Sequence, residues 1–234
     1  MKKEFIIFVF ILLLASIVSA SDFPEPFIKD GNASVSIILS SNASISEKAS
    51  ASNIINYLSS ILIPVQNKTP VSFYEFLKSQ NNTKIIANES EITQVQDKNL
   101  IVLSTDCSNL IASKLLGSET ILCGEDYTAK TNLKQGQFLI KVFQSPYSPE
   151  KTAMLLTGYT PQDLTKAVEY LTKNQISTNI GTELIIDANS NISKKVNIIS
   201  TRLLIILAVA TILIIAIIIF FVLRKNKTIE EYKV

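Results

Sequence analysis

Apolar positions along the chain change period several times, and each change marks an element. Ala33–Ser40 contains the apolar run from Val35 to Leu39 and reads as a buried strand. From Asn42 to Leu62, Ile45, Ala49, Ile54, Ile55, Leu58 and Leu62 recur at three- and four-residue steps, with Pro64 just beyond. That is the spacing and the stop of an amphipathic helix. Phe73–Lys78 reads as a short helical or irregular piece and Lys84–Ala87 as a strand. Asn99–Thr105 holds four consecutive apolar residues between polar ones, the pattern of a central strand, and Asn109–Leu116 follows as a helix stopped by Gly117. Thr120–Cys123 reads as a short strand. Gln137–Phe143 and Thr152–Thr157 are neighbouring strands whose connection, Ser145-Pro146-Tyr147-Ser148-Pro149, has hairpin-loop chemistry.

Thr160-Pro161-Gln162-Asp163 spells out a helix start: a capping hydroxyl, a proline at the first position and an acid near the positive end. The helix Pro161–Lys173 would bury Leu164, Ala167, Val168 and Leu171, and Thr182–Ile186 is the last strand. The opening Phe23-Pro24-Glu25-Pro26-Phe27 reads as extended, because a residue before proline avoids the helical region. Helices following apolar strands predict an α/β fold, a mostly parallel sheet with helices on both faces and one antiparallel pair at 137–157.

The two ends of the chain follow a different rule. Leu203–Leu223 is apolar throughout apart from Thr211, and at about 1.5 Å per residue it spans the roughly 30 Å of a bilayer core as one transmembrane helix. Met1-Lys2-Lys3 precedes the apolar run Phe5–Val18, which ends in Val18-Ser19-Ala20; this is the pattern of a secretory signal peptide over 1–20, with an uncleaved anchor as the alternative. Both readings export the chain from Ser21 up to the second apolar run. Arg224, Lys225 and Lys227 then stay inside, in line with the positive-inside tendency. The expected organisation is a signal peptide 1–20, an exported domain 21–186, a stalk 187–202, a span 203–223 and a cytoplasmic tail 224–234. It is that of a single-pass cell-membrane protein with its large domain outside.

Composition narrows the chemistry. Between Ser21 and Arg202 lie 17 acidic and 16 basic residues, so no basic face for nucleic acid is expected. The mean hydropathy of +0.30 reflects the apolar ends. Histidine is absent, which excludes Ser-His-Asp and Cys-His nucleophile pairs and histidine metal sites. No cofactor and no enzymatic activity are expected. Cys107 and Cys123, an even pair in an oxidising compartment, read as a disulfide; two buried free thiols are the alternative. Gly124-Glu125-Asp126 reads as a loop whose acids are solvated charge, a calcium contact being the weaker alternative. Two strand ends, Ser40-Ser41-Asn42 and Ser104-Thr105-Asp106, lie where open α/β sheets bind ligands. Ordinary helix capping is the blander reading of both. Six Asn-x-Ser/Thr sequons occur in the exported part, at Asn32, Asn42, Asn67, Asn81, Asn88 and Asn191, and five precede Asn99. These are candidate glycan acceptors, expected on one face; the match at Asn226 falls on the cytoplasmic side.

Gly158-Tyr159-Thr160 with Asp163-Leu164-Thr165 and Ala167, after an apolar strand, resembles the terminal unit of archaeal S-layer proteins of the methanogen type. Pro24-Glu25-Pro26-Phe27, the strand–Ser-Asn-Ala–helix unit at 37–56, and Cys107, Leu115-Leu116-Gly117 and Cys123 are similar to that family in the same order. The resemblance covers about residues 23–186. It implies a structural role outside the membrane, as a lattice subunit or an anchor beneath one, with the envelope's other proteins or further copies as partners. A surface protein binding a small ligand or glycan at the strand carboxyl ends is the alternative.

Overall fold

A computed structural model describes residues 21–62 and 84–189. A small hairpin of β1 (Ile28–Lys29) and β2 (Asn32–Ala33) opens the domain. β3 (Val35–Leu39) follows, then α1 (Ile45–Leu62), β4 (Ile86–Asn88), a 3₁₀ helix (Glu89–Gln94) and β5 (Asn99–Ser104). After α2 (Leu110–Leu115) and α3 (Gly124–Thr131) come β6 (Gln137–Gln144), β7 (Thr152–Gly158), α4 (Pro161–Lys173) and β8 (Glu183–Asp187). Six strands form one sheet in the order β4-β3-β5-β7-β6-β8. β4, β3, β5 and β7 run parallel, whereas β6 is antiparallel to both β7 and β8. The sheet is therefore mixed. The short turn between β6 and β7 permits only an antiparallel pair, while the parallel pairs need the long crossovers.

Helices cover both faces. Ile38, Leu100, Val102, Ala153 and Leu155 pack with Ile111, Ala112 and Leu115 of α2, and Leu139 on the same side meets Tyr127 of α3. Phe138, one residue from Leu139, points the other way. There its ring meets Tyr170 of α4 at a centroid separation of 5.7 Å, a contact worth about 1 kcal/mol beyond area burial. α1 lies beside α4 on that side, joined at their first turns where the Ser46 hydroxyl donates to the Pro161 carbonyl at 3.3 Å.

The expected strands stand within a residue or two of their predicted limits, and α4 has the predicted bounds and the predicted four buried residues. Four expectations need correction. The opening segment is not extended but a series of turns with cis bonds at Phe23–Pro24 and Glu25–Pro26. It turns because its apolar side chains go inward: Phe23 stacks on Tyr57 at 5.6 Å and touches Phe27 at 5.7 Å. The Asn99 amide fastens it to the sheet, donating to the Pro26 carbonyl and accepting from the Thr152 N–H, both at 2.9 Å. In α1, Ile45 is 88% exposed and Ala49 is exposed, while Glu47, Ser50, Ala51, Ile54, Leu58 and Leu62 face inward. Residues 120–123 form no strand, and the acids of Gly124-Glu125-Asp126 sit not in a loop but in the first turn of α3. The expected antiparallel pair at 137–157 is present, and β8 adds a second antiparallel pairing to β6 at the edge of an otherwise parallel sheet.

The predicted signal segment 1–20, the piece 73–78, Pro64, most of the stalk, the span 203–223 and the tail 224–234 lie outside the described residues. Among the described residues no helix is long and apolar enough to cross a membrane.

Candidate functional site at the carboxyl ends of the strands

The crossover from β3 leads outward to β4, and the one from β5 leads the other way towards β6 and β7. The strand order therefore reverses between β3 and β5, the place where open α/β sheets bind ligands. Pairing of Ile38 with Val102 sets Ser40 beside Ser104. The two strand ends singled out in the sequence thus meet at this point.

Their polar groups close the ends of neighbouring elements. The Ser40 hydroxyl accepts from the Asn42 N–H at 3.2 Å. The Ser104 hydroxyl lies 3.1 Å from that of Ser108, which accepts from the Thr105 N–H at 2.8 Å. Asn109 is the N-cap of α2: its Oδ1 accepts from the Ile111 and Ala112 N–H groups, and its Nδ2 donates back to the Leu103 carbonyl at 3.1 Å. All three bonds are buried. Replacing Asn109 with alanine removes the cap and strands a carbonyl, which should cost about 3 kcal/mol. Asn109→Ser keeps a neutral capping acceptor and should lose visibly less; equal urea midpoints for the two variants would contradict this assignment.

Asp106 Oδ1 accepts from the Gly124 N–H at 2.8 Å, so a carboxylate from the β5 end caps α3 where the Cys123 side chain does not. Cys107 and Cys123 are joined by a disulfide, with their Cα atoms 4.5 Å apart. Asp106 and the two sulfurs form a close group, but disulfide sulfurs are not metal ligands. Glu125 and Asp126 are exposed acids at the positive end of α3.

Tyr127 of α3 reaches under the rim. Its hydroxyl lies 2.6 Å from Thr157 Oγ1 and donates to the Gly158 carbonyl at 3.0 Å, while Thr157 Oγ1 donates to the Ser104 carbonyl at 2.9 Å. Burial drives its ionisation upward, the Asp106 and Asp163 charges add to that, and the Thr157 hydrogen bond opposes it; the phenol stays neutral. Two capping boxes complete the rim. Asp163 Oδ2 accepts from the Thr160 N–H at 3.0 Å, and Thr160 Oγ1 accepts from the Asp163 N–H at 3.2 Å. Ser44 and Glu47 repeat the arrangement for α1 at 2.7 and 3.2 Å. Glu47 Oε1 and the Ser50 hydroxyl, one turn apart, are buried without a hydrogen-bond partner.

Of the sequons, Asn32 and Asn42 are exposed and Asn88 is half-buried; Asn67, Asn81 and Asn191 lie outside the described residues. The three described ones do not stand at one end of the sheet. Asn42 and Asn88 are at the carboxyl ends of β3 and β4, while Asn32 is in β2, just ahead of β3's other end. The sequence reading misses Tyr127, the cap role of Asn109 and buried Glu47; capping at Ser104-Thr105-Asp106 is the blander reading given above, and Asp106 does cap, but it caps the distant α3. The Ser44-x-x-Glu47 spacing was the one available signal for Glu47.

Fold and rim define the class: an α/β domain with a mixed sheet whose strand ends are closed by caps from neighbouring elements. No family model matches this chain, and neither does any curated protein.

Proposed function

We propose that the chain is a membrane-anchored structural protein of the cell surface, related to archaeal S-layer proteins, that works through protein–protein contacts in the envelope. The observation that carries this is the pairing of two apolar ends with the ordered motifs between them, above all Gly158-Tyr159-Thr160 leading into α4. The geometry supports a framework role: the polar groups at the strand ends brace one another and the disulfide ties α3 to the β5 end. A framework built this way holds its outer faces in fixed positions, which repeated contacts between subunits need. Transmembrane anchoring, export through the N-terminal segment and glycan attachment belong to the same proposal.

The test is expression of the full chain with a carboxy-terminal tag, external protease on intact cells, and electron microscopy of the membranes. Digestion of the domain with a protected tag, together with ordered arrays or regular cross-linked oligomers, is the expected result. A protected domain would overturn the export reading, and a protein that stays monomeric at high surface density would overturn self-assembly. The juxtaposed β3 and β5 ends, with the unpartnered Glu47 Oε1 and Ser50 hydroxyl nearby, favour a second reading, a small ligand or glycan held at the rim. That reading requires Asp106→Ala to abolish ligand binding while the fold survives.

A further inference from the structure

We propose that N-linked glycans on Asn42 and Asn88 act as a pair that shields the β4 edge of the sheet and leaves residues 99–189 for protein contacts. This rests on the export reading above. Leu39 pairs with Asn88 in parallel register, so Asn42, three residues beyond Leu39, stands at the same corner. Attachment takes place at the amide nitrogen, and both side chains leave it available. Among the described residues no hydrogen bond engages Nδ2 of exposed Asn42, whose backbone N–H alone is used. Asn88 caps the 3₁₀ helix through Oδ1, accepting from the N–H and hydroxyl of Ser90, so a glycan on Nδ2 leaves the cap intact.

The corner has something to shield. Among the described residues β4 pairs with β3 alone, and Ile86 on it is 43% exposed, a combination that invites pairing with a strand of another chain. Sequons Asn67 and Asn81 fall in the same connection, between α1 and β4. By contrast, residues 99–189 contain no sequon, and three exposed large apolar side chains, Ile121, Tyr159 and Ile180, lie there. The sequon pair therefore stands at the β4 corner, and the strands from β5 to β8 carry none.

The experiment is production of the full chain in a eukaryotic secretory host, extraction in detergent, glycopeptide mass spectrometry and sedimentation. Both sites are expected to carry sugar. Asn42→Gln with Ser90→Ala removes both sequons while keeping Asn88 as a cap and Ser44 as the cap of α1. This variant should self-associate about tenfold more tightly, the scale of one or two added hydrogen bonds. Adding Ile86→Lys, a charge on the edge, should return it to the association state of the glycosylated chain. An exported chain bare at either site, unchanged association, or association that Ile86→Lys leaves in place each overturns the shield. A chain whose domain is protease-protected and bare at every sequon overturns the export reading itself.

Discussion

Replacing Gly158 with alanine should lower the stability of the domain by about 3 kcal/mol or more, the upper range for an overpacked site, because the added carbon meets backbone and not a movable side chain. A Cβ at this position would collide with the Leu164 nitrogen and lie 2.7 Å from the Asp163 carbonyl carbon and 2.8 Å from the Thr160 oxygen. Those atoms form the first turn of α4, which is held by the Thr160–Asp163 box and by the Leu164 N–H donating to the Thr160 carbonyl at 3.1 Å. The strand side cannot yield either. The Gly158 carbonyl accepts from Tyr127, and the Tyr159 N–H donates to the Gln137 carbonyl at 3.1 Å. Urea unfolding should show a large fall in midpoint with an unchanged slope. Tyr159→Ala, next door and 40% exposed, should move the midpoint little, by about 0.5 kcal/mol or less. A Gly158→Ala midpoint equal to that of the parent would mean that the close approach of α4 to β7 is not as described.

The same turn shows when sequence suffices. At Pro161–Lys173 the capping hydroxyl, the proline, the acid and the apolar spacing all agree, and the helix follows them. At α1 two signals conflict. Ile45 stands two residues, or about 200°, from Glu47 around the helix, so the face that buries Glu47, Ser50, Ala51 and Ile54 turns Ile45 to solvent. Counting apolar residues alone selects the wrong first member of the stripe. The capping box, which fixes Glu47 over its own helix end, selects the right one.

The illegible parts depend on distant partners. α3 buries only Tyr127 and Thr131, so it leaves no apolar period, and its start is fixed by Asp106 and Cys107 from 16 or more residues upstream. The direction of β8 depends on where α4 returns the chain, which local spacing does not encode. The rim was half legible: strand-end chemistry marked Ser40–Asn42 and Ser104–Asp106, and the parallel register brought them together. Tyr127, which reaches Thr157 and Gly158 from 30 residues away in sequence, carries no local mark.

Removing the disulfide with Cys107→Ser and Cys123→Ser should cost about 3 kcal/mol, the loop-entropy value for a closure of this length, here a sequence separation of 16. The loss should be local before it is global. The bridge, the Asp106–Gly124 bond and the Cys107 N–H donating to the Leu122 carbonyl at 3.2 Å are what fasten the start of α3 to the β5 end. α3 otherwise holds to the sheet through Tyr127 and buries only that residue and Thr131, whereas β5 and β7 are buried along nearly their whole length. Hydrogen exchange in the double variant should therefore lose protection across 122–131 while the amides of β5 and β7 keep theirs, the behaviour of a separately opening unit. A reductant should produce the same pattern in the parent chain and no further change in the variant. Asp106→Asn, made in both backgrounds, should cost more in the variant, where it is the last side-chain tie between the two elements. Uniform loss of protection over sheet and helix together would show instead that α3 and the sheet open as one, and the disulfide would then be a global staple.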